Sequence, residues 1–172
     1  MVREHTWEYL AWLESRLAAD GCDPRREDWA GTPVLTGRRA DFRISWLATS
    51  LHLFTFAAAV PEITAPAVES FTRQALDRAR KRKGGLPLGA QTGVAVFPVL
   101  VGERVEPAAL RWAGRGQRAR FARMARPVVA DAGRRRVAFF RGRPFVGRLY
   151  ASHLVEKGER WFRAPGWEWE SG

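Results

Sequence analysis

Residues 94–101 form an uninterrupted apolar run, VAVFPVLV, which has no polar face in either alternating register. A strand with this pattern has to be covered on both sides, as the inner strands of α/β sheets are. A loop rich in glycine, residues 84–93, leads into it. We therefore predict a buried central strand here, with the rest of the chain packed on both faces of the sheet that contains it.

Apolar residues recur at helical spacing in three long segments, which predicts helices over residues 3–19, 65–83 and 145–162. A shorter helix is expected over residues 106–113. The helix over 65–83 has the clearest signals, because Thr64 can cap it, Pro66 lies in its first turn and glycines follow it. Its predicted buried stripe is Val68, Phe71, Ala75, Leu76 and Ala79.

Alternating or continuous apolar runs predict strands over residues 33–36, 41–47 and 51–60. A turn at residues 37–40 is expected between the first two strands. A β-hairpin is expected later in the chain, with strands over 127–131 and 136–141. For residues 22–32 we predict a loop with a short helical turn.

Together these elements predict one α/β domain over residues 1–172, built on a mixed sheet. Three strands form a meander, a helix crosses over to the central strand, and a C-terminal hairpin and helix follow. Because a helix connects strands 51–60 and 94–101, these two strands are expected to run parallel.

The composition of the chain indicates a globular protein without a disulfide or a membrane-spanning segment. Apolar residues make up 46% of the chain, which is typical of a globular rather than a disordered protein. The single cysteine, Cys22, cannot form an internal disulfide, and no apolar run reaches membrane-spanning length. The first residues lack the apolar core of a signal peptide. We therefore expect a cytoplasmic protein with no membrane partner.

The order helix, three-stranded meander, helix, strand over residues 3–101 resembles the restriction-endonuclease-like core of the PD-(D/E)XK nucleases. That family has an acid at the start of the second strand and an acid-x-Lys triplet on the third. Asp41 stands at the first of these positions, whereas the third strand begins LHLFTF and contains no acid or lysine. The resemblance therefore implies a degenerate core with an incomplete catalytic motif.

Some members of that family place catalytic groups on the following helix, where this chain has Glu69 and Arg73 one turn apart. A divergent nuclease would therefore use Asp41, Glu69 and Arg73, and it would need Mg²⁺ beside the scissile phosphate. Outside this case the sequence predicts no cofactor and no metal site, because its three histidines are far apart and show no ligand spacing.

The net charge of +11 is unevenly distributed along the chain. Residues 1–32 sum to −3, residues 73–83 to +5 and residues 103–150 to +10. Basic clusters of this kind favour a polyanionic partner such as DNA or RNA. The alternative is compositional, since only three of the 29 basic residues are lysine. That bias is typical of a GC-rich bacterial genome, in which arginine accumulates on surfaces without a binding role.

The connector 114–126, GRGQRARFARMAR, is the most suggestive basic segment. Arginine forks suit phosphates, and an aromatic ring can stack on a base. The predicted nucleic-acid-binding residues are Arg115, Arg118, Arg120, Phe121, Arg123 and Arg126 in the connector, with Arg134, Arg135 and Arg136 at the hairpin tip. The alternative is a solvated loop balanced by the acidic N-terminal helix.

Three functions follow from these patterns. The first is a non-catalytic nucleic-acid-binding protein that uses the connector and the hairpin tip. The second is a protein-interaction or assembly component, in which acidic and basic regions pair with a partner protein or between copies of the chain. The third is the divergent Mg²⁺-dependent nuclease.

Overall fold

The fold is built on a mixed seven-stranded β-sheet. The structure is a computed structural model, and it describes residues 1–46, 49–82, 92–115, 125–142 and 148–170. The described strands of the chain are, in order, β1 (Arg25–Trp29), β2 (Thr32–Arg43), β3 (Thr49–Ala59), β4 (Glu62–Ile63), β5 (Thr92–Gly102), β6 (Arg104–Val105), β7 (Val128–Asp131), β8 (Arg136–Phe139) and β9 (Glu168–Trp169). In space the main sheet runs β1-β2-β3-β5-β7-β8-β9, while β4 and β6 pair with each other in parallel. The expected α/β class with a mixed sheet is confirmed.

The helices are α1 (Glu4–Ala19), α2 (Ala65–Arg82), α3 (Pro107–Gly114) and α4 (Arg148–Phe162). Helices α1 and α4 pack on one side of the sheet, which we call face A, and α2 and α3 pack on the other, face B. Among the described residues, no helix is long and apolar enough to cross a bilayer.

Strand β5 lies in the middle of the sheet, with β3 and β7 parallel to it on either side. Its alternate residues point into two separate cores. Ala95, Phe97, Val99 and Val101 belong to the core of face A, and Val94, Val96 and Leu100 belong to that of face B. The predictions of a strand covered on both sides, and of its parallel pairing with β3, are confirmed.

Helix α2 makes the crossover between β3 and β5. The hydroxyl of Thr64 accepts a hydrogen bond from the Ala67 amide at 3.2 Å, so it caps the first turn as predicted. The predicted apolar stripe is buried against face B: Val68, Phe71, Ala75, Leu76 and Ala79.

The loop predicted at residues 22–32 is wrong, because β1 and β2 form an antiparallel hairpin there. Ala30 and Gly31 both have positive φ, at 53° and 89°, which is the backbone of a tight hairpin turn. Trp29 anchors the hairpin on face B, with its ring 5.1 Å from that of Phe56. A single buried tryptophan in an otherwise charged strand gave no alternating pattern.

The turn predicted at residues 37–40 is also wrong, because β2 continues through it and pairs with β3 over ten positions. Gly37 is needed for close packing rather than for a turn: a Cβ atom there would lie 3.2 Å from Leu17 Cδ1. Asp41 consequently lies near the end of a long strand, whereas the sequence had placed it at the start of a short one.

The predicted C-terminal hairpin is present as β7 and β8, and β9 joins the outer edge of β8 in parallel. The carboxylate of Asp131 accepts a hydrogen bond from the Arg134 amide at 2.9 Å and so fixes the hairpin tip. The tail is held by its tryptophans, since Trp167 lies 4.6 Å from Tyr9 and Trp169 lies 5.2 Å from Phe139, between ring centroids.

Candidate nucleic-acid interface

A cleft of about 680 Å³ lies beside β8, between α3 and the β7–β8 hairpin. Its lining has a basic part and an apolar part. The basic residues are Arg111, Arg115, Arg134, Arg136 and Arg141, and the guanidinium of Arg141 also lies 3.8 Å from Glu159 on α4. The apolar residues are Val105, Pro107, Leu110, Ala138, Phe139 and Phe140. Of the described residues that line it, one is an acid, Glu170, so the cleft is strongly electropositive. We call it the arginine cleft.

Helix α3 supplies two of these arginines because of how it packs. Pro107 begins the helix, and Ala109, Leu110 and Ala113 are buried against face B. This leaves Arg111 exposed in the last turn, while Arg115 caps the C-terminal end. Cations are favoured at this end of a helix, where the backbone carbonyls carry partial negative charge.

The hairpin supplies Arg134 and Arg136 from the other side. Arg134 also lies 3.5 Å from the buried Asp131 carboxylate, while its own side chain is 62% exposed. Arg136 pairs with Glu170 at 2.7 Å, and its Nε atom is buried without an acceptor in the described part of the chain. Arg135 has φ of 54°, is exposed on the turn and does not line the cleft.

Arg126 does not serve as the surface phosphate contact that the sequence predicted. Its side chain is 4% exposed, and it donates hydrogen bonds to the carbonyl oxygens of Phe140 and Gly142. Its guanidinium also lies 5.2 Å from the centroid of the Phe140 ring. Burial lowers the pKa of Arg126 to about 10, so it remains protonated at neutral pH. We correct its role to that of a support for the cleft wall.

The remaining connector residues named from the sequence lie outside the described residues: Arg118, Arg120, Phe121 and Arg123. Their role in binding stays a prediction. The structure brings together Arg115, Arg134 and Arg136 from the predicted set and adds Arg111 and Arg141. These two were missed because each looked like an ordinary charge at the end of an element, although both lie in the strongly basic segment 103–150.

The acids of the nuclease hypothesis do not come together. Asp41 pairs across the strands with Leu51, which belongs to the core of face A, so its side chain lies on that face. Glu69 lies on α2, which packs on face B, and it pairs there with Arg73 on the exposed side of the helix. The two carboxylates are therefore on opposite faces of the sheet and cannot hold one Mg²⁺ between them.

Asp41 is itself occupied by cationic and polar partners. Its Oδ1 atom accepts from Arg39 Nε at 2.6 Å, and its Oδ2 atom lies 2.7 Å from Nε2 of His153. Burial alone would raise the pKa of Asp41, but hydrogen bonds from Arg39 and His153 outweigh it and hold the pKa below its ordinary value. In the described part of the chain, no group of three histidine, cysteine or acidic side chains could hold a metal ion. Asp41 and Glu69 therefore do not fit a catalytic Mg²⁺ site.

Arg39 links Asp41 to a second half-buried carboxylate, Asp20, at the end of α1. Asp20 Oδ2 accepts from Lys157 Nζ at 2.9 Å and from Trp161 Nε1 at 2.8 Å, and Arg39 Nη1 lies 3.2 Å from it. Burial would raise the pKa of Asp20, but these hydrogen bonds and the charge of Lys157 lower it overall. The cluster joins α1, β2 and α4, and because Arg160 Nη1 lies 3.3 Å from Asp20 Oδ1, each of its carboxylate oxygens has a partner.

This buried cluster was missed by sequence reasoning. Two regular spacings could have indicated it: His153, Lys157 and Trp161 are four residues apart on α4, and Arg39 and Asp41 alternate on β2. The sequence does not show that α4 packs against β2, because the residues that meet, Asp41 and His153, are 112 positions apart.

Comparisons with known proteins add no family to this picture: no family model, no curated protein and no solved structure matches the chain.

Proposed function

We propose that this protein binds nucleic acid through the arginine cleft and does not catalyse a reaction on it. The observation that carries the proposal is that arginines from two separate parts of the chain converge on one cleft. Arg111 and Arg115, from α3 and its C-terminal cap, meet Arg134, Arg136 and Arg141 from the hairpin region around one cleft, although Arg115 and Arg134 are 19 positions apart in sequence. A purely compositional surplus of arginine would not need to concentrate around one concave surface.

Three of these arginines, Arg111, Arg134 and Arg141, have exposed side chains that can bind phosphate. Arg134 and Arg141 lie 3.5 Å and 3.8 Å from carboxylates, and both arginine side chains are substantially exposed. The Arg141–Glu159 pair is exposed on both partners and contributes about 0–1 kcal/mol, so a phosphate can replace Glu159 at little cost. The Asp131 carboxylate is buried, so Arg134 binds phosphate through its exposed side chain only while its contact with Asp131 is kept. Arg111 has no side-chain partner among the described residues, which leaves its planar fork available for bidentate phosphate binding.

The predicted connector continues in sequence from the end of this surface. Arg115 lines the cleft and is followed directly in sequence by residues 116–124, which contain three further arginines. A nucleic acid that contacts the cleft at Arg115 would therefore meet the start of the connector. Neutralising several phosphates at once is the main source of affinity in nucleic-acid binding, and it makes the affinity depend steeply on salt.

The test is fluorescence anisotropy with labelled DNA and RNA strands of the same length, titrated at several salt concentrations. We expect binding at low salt whose logarithm of affinity falls linearly with the logarithm of salt concentration. Arg111→Ala should weaken binding, whereas Arg25→Ala, which removes one exposed arginine at the opposite edge of the sheet, should not.

Two results would overturn the proposal. One is the absence of binding to either nucleic acid at the lowest salt concentration that keeps the protein in solution. If that absence came with a concentration-dependent dimer in light scattering, the assembly function would be favoured instead. The other is cleavage of the strands in Mg²⁺ that Asp41→Ala abolishes, because it would show a nuclease.

A further inference from the structure

The arginine cleft has an apolar floor beneath its charged rim. Pro107 and Leu110 from α3 line it together with Ala138 and Phe140 from the strand side. Contacts to a phosphate backbone alone need only the charged rim, since phosphates and sugars present no apolar surface of comparable size. The floor therefore indicates that something apolar enters the cleft between the arginines.

The size of the cleft limits what can enter. A volume of about 680 Å³ lies in the range of ~300–1,000 Å³ in which proteins enclose small organic ligands, a class that includes single nucleotides. A duplex can lay its phosphates on the rim, but its stacked and paired bases cannot enter without being flipped out. A single strand has bases that are already unpaired, so they can enter without that cost.

The floor also offers an aromatic ring. Phe140 is half-buried and lines the cleft, and the guanidinium of Arg126 lies 5.2 Å from its ring centroid. Hydrogen bonds from Arg126 to the carbonyl oxygens of Phe140 and Gly142 fix the backbone on both sides of Arg141. A ring held by its own backbone in this way is a preorganised surface on which a base can stack.

We propose that the cleft binds an unpaired base of a single-stranded nucleic acid, which stacks on Phe140 while the flanking phosphates bind the arginine rim. This inference rests on the nucleic-acid binding proposed above and adds the form of nucleic acid that the site selects. It predicts that the bases contribute to affinity, whereas a purely electrostatic surface would bind any strand with the same number of phosphates.

The experiment compares three labelled ligands with the same number of phosphates: a single strand of thymidines, a single strand of abasic sites and a duplex. We expect the protein to bind the thymidine strand at least about tenfold more tightly than the abasic strand, because stacking on an aromatic residue strengthens binding by roughly that factor or more. The duplex should bind with an affinity close to that of the abasic strand.

Phe140→Leu should reduce the difference in affinity between the thymidine and abasic strands. Arg134→Ala is the control variant, because it removes a phosphate contact in the same cleft and should weaken binding of all three ligands by a similar factor. A single 2-aminopurine in the strand gives a readout on the wild-type protein alone, since its fluorescence should be quenched when it stacks on the ring.

The outcomes separate this inference from the function on which it rests. Equal affinity for the thymidine strand, the abasic strand and the duplex would overturn the base-binding cleft and leave nucleic-acid binding intact. Unchanged 2-aminopurine fluorescence in a saturated complex would overturn it too. Failure of all three ligands to bind would overturn both proposals.

Discussion

Nε2 of His153 lies 2.7 Å from Oδ2 of Asp41 and joins helix α4 to strand β2. Since the carboxylate can only accept, the proton of the neutral ring lies on Nε2, and Nδ1 is left buried without a partner in the described part of the chain. The ring of Trp46 lies 4.9 Å from that of His153. This environment makes a second proton on His153 costly.

We expect the protein to lose stability on mild acidification because of His153. Burial lowers its pKa below the ordinary value of 6.5, and the nearby Arg43 and Lys157 act in the same direction, although Asp41 opposes them. The unfolded chain therefore takes up a proton on this residue before the folded chain does. The contribution of neutral His153 to the free energy of unfolding is therefore complete above pH 6.5. It is lost as the pH falls below 6.5, by at most about 1.4 kcal/mol per pH unit.

Chemical denaturation between pH 7 and pH 5 measures this effect. His153→Gln, which can still donate to Asp41 but does not titrate, should flatten the dependence in that range. His5→Gln is the control, because the pKa of the exposed His5 is raised by Glu8 and its contribution has the opposite sign. A wild-type protein equally stable at both pH values would contradict the assignment.

The carboxylate of Asp20, which Lys157, Trp161 and Arg39 share, should be needed for the stability of the fold. Asp20→Ala leaves Lys157 and Arg39 in a largely enclosed site without their shared carboxylate, and breaking a buried pair in this way costs about 3–5 kcal/mol. Asp23→Ala removes an exposed partner of Arg25 and should cost less than about 1 kcal/mol. Urea denaturation of the two variants checks the difference, and similar costs would show that the cluster is solvated.

Arg126 should affect binding through the cleft wall and not through its charge. Arg126→Met leaves the carbonyl oxygens of Phe140 and Gly142 without their donor, which should cost about 1–3 kcal/mol of stability. The variant should bind single strands more weakly, yet with the same salt dependence as the wild type, because Arg126 holds no phosphate. A shallower salt dependence in Arg126→Met would show that the buried guanidinium reaches the nucleic acid.

The sequence predicted correctly those elements whose apolar residues follow a single helical or strand pattern along their whole length. The run 94–101 and the stripe of α2 are continuous signals, and both elements were found with bounds close to those expected. The hairpin of β1 and β2 escaped because its strands are held by tertiary contacts of Trp29 and by the close approach of Leu17 to Gly37. Neither contact leaves a periodic signal.

The site was predicted less completely, for a related reason. Arg115, Arg134 and Arg136 were chosen for their charge, and the fold does bring them to one cleft. The same criterion also selected Arg126, which is buried, because the sequence does not show which arginine of a basic run turns inward. Asp41 was paired with Glu69 by element order, whereas its true partners are Arg39 and His153.

The most direct test of the arginine cleft is the salt dependence of single-strand binding in two double variants. Arg111→Ala/Arg134→Ala removes one arginine from each side of the cleft, and Arg25→Ala/Arg73→Ala removes the same charge from surfaces elsewhere. Each lost phosphate contact should reduce the slope of log affinity against log salt by about 0.7. We predict a reduction of about 1.4 in the cleft variant and no change in the control. An unchanged slope in the cleft variant, or an equal reduction in both, would contradict binding at this cleft.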